Sequence, residues 1–114
     1  MRTIWVVVVG LALSGCAILN SGSAFAEDSG SAIYIMRGCR DALAEKDNAL
    51  SGLCAGTIDG IYFSRETICA PPTVTVEQLV RVVVQYVDNR PARMHEAFKV
   101  LALEAMTTAW PCRR

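Results

Sequence analysis

Histidine occurs once in these 114 residues, at position 95, and neither sign of charge is in excess: eleven Lys and Arg stand against eleven Asp and Glu. The balance leaves no basic stripe for nucleic acid and no acidic tail. One histidine and oxidised cysteines assemble no zinc set of the Cys/His type, and a Cys/His nucleophile would require a thiol that stays reduced. There is no Cys-x-x-Cys pair, and no Gly-rich loop ending in Lys-Ser or Lys-Thr to cradle a phosphate. The length permits one domain, with a core too small for most multi-substrate enzymes. What is present suits a folded domain: 53% of residues are hydrophobic and 19% charged, which excludes disorder. Five cysteines, however, cannot all pair.

The first 26 residues account for the fifth. Arg2 supplies a positive start, Ile4 to Leu19 carries no charge, and Ala24-Phe25-Ala26 places small residues at both signal-peptidase positions ahead of Glu27 and Asp28. This pattern reads as a secretory signal peptide over 1–26, with the folded domain over 27–114. The apolar run falls short of the roughly 20 residues that a membrane-spanning helix needs. Leu13-Ser14-Gly15-Cys16 also fits a bacterial lipobox, in which Cys16 is acylated and anchors the chain to a membrane. Ala17-Ile18-Leu19 is unusually apolar for the tether this would require, so cleavage after Ala26 is preferred. Either way the chain leaves the cytoplasm, and Cys16 is no disulfide partner. Loss of 1–26 leaves ten basic against eleven acidic residues and four cysteines, at 39, 54, 69 and 112. In an oxidising compartment, an even set in so small a domain reads as two disulfides.

Helical periodicity runs through the remainder. Ala32, Met36, Cys39 and Leu43 recur at i, i+4, i+7 and i+11, which predicts a helix over about 31–46, broken by Asp47-Asn48. A second, about 49–64, sets Leu50, Leu53, Cys54, Ile58, Ile61 and Tyr62 along one stripe. Gly52, Gly56 and Gly60 recur beside it, and each costs about 1 kcal/mol relative to alanine in a helix. They imply close approach by another helix of the chain or, alternatively, a partner pressing on a flat strip. Pro71-Pro72 marks a loop. Thr75-Val-Glu-Gln78 is a capping box, with Val74 and Leu79 in the positions of a hydrophobic staple. The third helix then buries Leu79, Val82, Val83 and Tyr86 and ends at Asp88-Asn89-Arg90-Pro91. The cap outweighs the strand propensity of Val82-Val83-Val84. The last helix, about 92–109, buries Met94, Phe98, Leu101, Ala105 and Thr108, carries His95, and stops at Trp110-Pro111. The expected fold is all-α, a bundle of about four helices in two antiparallel hairpins.

Contacting residues in an antiparallel hairpin lie equally far from its turn. Cys39 and Cys54 are centred on the turn between the first two helices, and Cys69 and Cys112 on Arg90-Pro91 between the last two. Each hairpin is therefore expected to be locked by its own disulfide, 39–54 and 69–112. The rival pairings lack this symmetry. By chain entropy the two loops contribute roughly 3 and 4 kcal/mol.

Carboxylates are the remaining catalytic candidates. Asp59 lies between the glycines, and Asp41, Glu45 and Asp47 surround the first turn. A glycosidase needs two across a cleft, and a four-helix domain of this size offers little cleft. Solvated faces are the default for all four, and for His95 a solvated or capping role. The reading is a binding or structural module without cofactor or metal, not a catalyst.

The motifs Cys54-x-Gly56-x-Ile58-x-Gly60, Cys69-x-Pro71, Gln78 with Tyr86 and Pro91, and Ala109-Trp110-Pro111-Cys112 together resemble the Rap/Tai family of bacterial periplasmic immunity proteins. The resemblance covers about Cys39 to Cys112. Thr57 departs from it, standing where an aromatic residue is more usual. The resemblance implies a helical, disulfide-stabilised protein, often a homodimer, that occludes the active site of a peptidoglycan amidase toxin delivered by type VI secretion. The matching residues, including Gly52, Gly56, Gly60, Pro71 and Pro111, are packing residues; toxin contacts are not carried over. Occlusion calls for a rigid projecting element. The first candidate is Ser64 to Ile68, with Arg65 and Glu66, tethered by Cys69; the second is the turn Asn89 to Arg93, with Arg90 and Arg93 as anchors. Two other classes fit the same composition: a small periplasmic stress chaperone that exposes apolar surface as its carboxylates protonate, and an envelope protein or lipoprotein with no toxin partner.

Overall fold

Local capping sets the helix starts. The computed structural model describes residues 29–113; the expected signal peptide and Cys16 lie outside the described residues. Helix α1 (Ala32–Leu43) is capped by Ser31, whose hydroxyl accepts from the Tyr34 amide at 3.4 Å. Helix α2 (Ala49–Ser64) begins with a capping box: Asn48 Oδ1 accepts from the Ser51 amide at 2.8 Å and Ser51 Oγ accepts from the Asn48 amide at 3.0 Å. Helix α3 (Val76–Asp88) has the expected box, with Gln78 Oε1 accepting from the Thr75 amide at 2.9 Å and Thr75 Oγ1 from the Gln78 amide at 3.2 Å. Helix α4 spans Phe98–Ala109. No strand occurs among the described residues, only isolated bridges joining Ser31 to Ala97 and Ile68 to Pro111.

Both expected disulfides are formed. Cys39–Cys54 joins α1 to α2 with Cα atoms 5.2 Å apart, and Cys69–Cys112 joins the α2–α3 connection to the residues after α4 at 5.0 Å. The core lies among all four helices around Met36, Ile58, Leu79, Leu101, Met106 and the fully buried Phe98.

Several expectations are corrected. The first helix ends at Leu43, not 46, because Glu45 takes a left-handed φ of 59°. The amides of Glu45 and Lys46 then return to the carbonyls of Ala42 and Asp41 at 3.2 and 2.9 Å, the Schellman pattern. The last helix begins at Phe98, not 92; Pro91–Arg93 is a separate 3-10 turn. The carbonyls of Met94 and Glu96 instead accept from the Ile33 and Ala32 amides, both at 2.9 Å, satisfying the open donors at the start of α1. His95 therefore sits in a turn. On α3 the buried face is Leu79, Val80, Val83 and Val87, with Val82 and Tyr86 half-buried at its flank, since the helix packs against α1, α2 and α4 together. Thr108 and Leu53 are exposed, and Ala102 and Met106 complete the inner face of α4.

The glycines also exchange roles. A Cβ placed on Gly52, Gly56 or Gly60 would have no neighbour within 4 Å, so no helix among the described residues presses on that strip. Gly38 is the close contact: its Cβ would collide with the Leu50 carbonyl oxygen on α2.

Candidate functional site

The four charged residues expected at a partner surface fall in two connections. Arg65 and Glu66 lie between α2 and the Ile68–Pro111 bridge; both are exposed, and neither side chain has a partner among the described residues. Arg90 and Arg93 lie between α3 and α4, and there the chain is held firmly.

Arg93 sits between two carboxylates. Its Nε and Nη2 donate to Glu96 at 2.6 and 2.9 Å, and its Nη1 and Nη2 to Glu104 on α4 at 2.7 and 3.1 Å. Such two-pronged pairing fixes orientation as well as position. The Tyr86 hydroxyl donates to the same Glu104 carboxylate at 2.9 Å. Arg90 closes the assembly: its guanidinium lies 3.5 Å from the Tyr86 ring centroid and donates to the Tyr86 carbonyl at 2.9 Å. Pro91 and Ala92 are left exposed at the tip. Tyr86 and Glu104, which bind the turn to two helices, were invisible as partners in the sequence. The i, i+3 spacing of Arg93 and Glu96 was the one available signal.

The Arg93 hydrogen bonds hold both Glu96 and Glu104 below the ordinary carboxyl range, with Tyr86 adding to the effect on Glu104. A depressed folded-state pKa stabilises above the unfolded value and stops doing so as the carboxylates protonate. The urea midpoint is therefore expected to fall between about pH 5 and about pH 3, modestly because these groups are about one-third exposed. Arg93→Met should flatten that fall; an unchanged profile would contradict the clamp.

Beside the turn runs a shallow groove. A concavity of about 240 Å³ is bordered by Tyr86, Arg90 and Ala105 and shares Val82 with a second, of about 330 Å³, bordered by Pro71, Val74 and Trp110. His95, exposed, borders a separate depression of about 500 Å³ with Thr57 and Lys99. Among the earlier carboxylate candidates, Asp41 accepts from Asn48 Nδ2 at 3.1 Å and so supports the start of α2. No group of three His, Cys, Asp or Glu placed to hold a metal occurs among the described residues.

Fold and surface together define a small, disulfide-stapled helical module that offers a preorganised turn beside a shallow groove of mixed polarity. The chain belongs to the Rap1a immunity proteins, whose family profile matches residues 22–112 and so includes both disulfides and both connections. This agrees with the resemblance read from its motifs. No curated protein and no solved structure matches the chain.

Proposed function

We propose that this chain is exported by residues 1–26 and, in the periplasm, binds and inhibits a peptidoglycan amidase toxin delivered by type VI secretion. It acts by occlusion, without chemistry of its own. The observation that carries the reading is the immunity-family match across both hairpins; the two disulfides suit an oxidising compartment, and the amidase follows from the motif resemblance.

The turn Asn89 to Arg93 is the contact we assign to the toxin. The Arg93 clamp and the stacked Arg90 remove freedom before binding, so little entropy is lost on docking. Tyr86, Arg90 and Trp110 along the adjoining groove are also the residue types that dominate interface energetics. Co-purification with the amidase encoded beside this chain, and inhibition of its peptidoglycan cleavage, are the direct measurements. Arg90→Ala is expected to weaken binding about tenfold to thirtyfold with an unchanged circular dichroism spectrum. Unchanged affinity would remove the turn from the interface; failure of the unaltered chain to bind any neighbouring amidase would overturn the reading. The mass of the mature N-terminus separates cleavage after Ala26 from lipidation at Cys16.

A further inference from the structure

The groove beside the turn follows α3 along its length. Gln78, Arg81, Val82, Gln85, Tyr86 and Asn89 succeed one another at steps of three and four residues, so they form one face next to the buried stripe. Ala105, Thr108 and Ala109 on α4 make the facing wall, and Pro71 and Trp110 border the far end. Val82, half-buried, belongs to both concavities, which joins them into one trough with an apolar middle.

Among the described residues, the charged side chains bordering the trough are two arginines, Arg81 in one half and Arg90 in the other. Neither is saturated. Arg81 holds the exposed Glu77 through Nε and Nη2, a surface pair that an incoming carboxylate can replace at little cost. Arg90 uses Nη1 on the Tyr86 carbonyl and keeps Nε and Nη2. Glu104, the carboxylate that feels Arg90, is already held by Arg93 and Tyr86. Both arginines lean back along the helix, Arg81 toward Glu77 and Arg90 over Tyr86. Their charges are therefore about nine residues, or about 13 Å, apart along the axis. An extended chain covers that distance in about four residues and turns residues i, i+2 and i+4 to the same side.

We propose that the trough takes an extended segment of the toxin with the pattern acidic-x-apolar-x-acidic. The two carboxylates pair with Arg81 and Arg90, and the central side chain lies on Val82. This rests on the inhibitor reading and extends it, because Arg90 belongs to both the 89–93 turn and the trough, so one partner covers both. A basic segment would meet like charge at each end.

Cleavage after Ala26 and lipidation at Cys16 both remove Trp5, leaving Trp110 at the trough as the one tryptophan of the exported chain. Its fluorescence then reports occupancy directly. The probe is the end-blocked peptide Gly-Glu-Ala-Leu-Ala-Glu-Gly, titrated into the periplasmically purified chain, with a Kd of about 0.1–1 mM expected. Lysine in place of both glutamates should abolish binding, and serine in place of leucine should weaken it about tenfold. Arg81→Glu should weaken the peptide and the amidase about tenfold each, at an unchanged thermal melt because Arg81 is exposed. No fluorescence change up to about 10 mM peptide, equal binding of the lysine peptide, or amidase affinity indifferent to Arg81→Glu would each overturn the proposal. Each of these can occur while the unaltered chain still inhibits the amidase, so the inhibitor reading would stand.

Discussion

Gly38→Ala is expected to lower folding stability by about 2–3 kcal/mol, measured as a shift in the urea midpoint at unchanged slope. The cost arises because the atom in the way is backbone. A Cβ on Gly38 would overlap the carbonyl oxygen and carbon of Leu50, neither of which can move without displacing α2. The neighbouring Cys39 is bonded to Cys54 on that same helix, so the two helices cannot part locally to make room. Against this stands the better helix propensity of alanine, worth about 1 kcal/mol, which is smaller than the strain of forcing two packed backbones apart. Gly56→Ala is the matched control. With nothing within 4 Å of its new methyl group, it should gain about 0.5–1 kcal/mol in the dilute monomer. The two substitutions are chemically identical and should have opposite signs. A stabilising Gly38→Ala would show that α1 and α2 are spaced more widely than the Gly38–Leu50 contact requires.

That reversal shows where a sequence is legible. Gly52, Gly56 and Gly60 stand out because they recur, and recurrence reports a helical face without saying what lies opposite it. Gly38 is isolated in the sequence, and its role depends on Leu50, a residue across the turn whose carbonyl position no pattern reveals. Features whose donors and acceptors lie within a few residues are readable: the Thr75–Gln78 box and the hairpin symmetry of the cysteines both hold. Features set by packing from several sides shift. The α3 face turns toward Val80 and Val87 because three helices surround it. The last helix is shortened because the carbonyls of Met94 and Glu96 serve the start of α1, a demand from far away in the sequence. The candidate site divides in the same manner. Arg90 and Arg93 could be singled out by residue type and turn position, but Glu104 and Tyr86 are brought to them only by the packing of α4 on α3.

Removing the disulfides singly should rank them against the order that chain entropy gives. The loop closed by Cys69–Cys112 spans 43 residues and that closed by Cys39–Cys54 spans 15, which correspond to about 4 and about 3 kcal/mol. Burial reverses the comparison. Cys39 and Cys54 are wholly inside the core, so replacing both with alanine also leaves a void, adding about 2 kcal/mol for a total near 5 kcal/mol. Cys69 is exposed and Cys112 half-exposed, and their loss opens no cavity. The Ile68–Pro111 bridge and the bond from the Cys69 amide to the Trp110 carbonyl at 2.9 Å also remain to hold the chain ends together without the sulfurs. Cys69→Ser with Cys112→Ser should therefore cost no more than about 4 kcal/mol and leave the helical circular dichroism intact. Cys39→Ala with Cys54→Ala should put a domain of this size close to its unfolding limit at 37 °C. Under a rising concentration of a small dithiol, alkylation followed by peptide mass analysis should find the 69–112 thiols labelled first, because the reagent reaches them in the folded state. Labelling of Cys39 and Cys54 should appear only with global unfolding, tracking the urea transition. Early labelling of Cys39 would mean that the α1–α2 seam opens on its own, and the rank order would then revert to that of loop length.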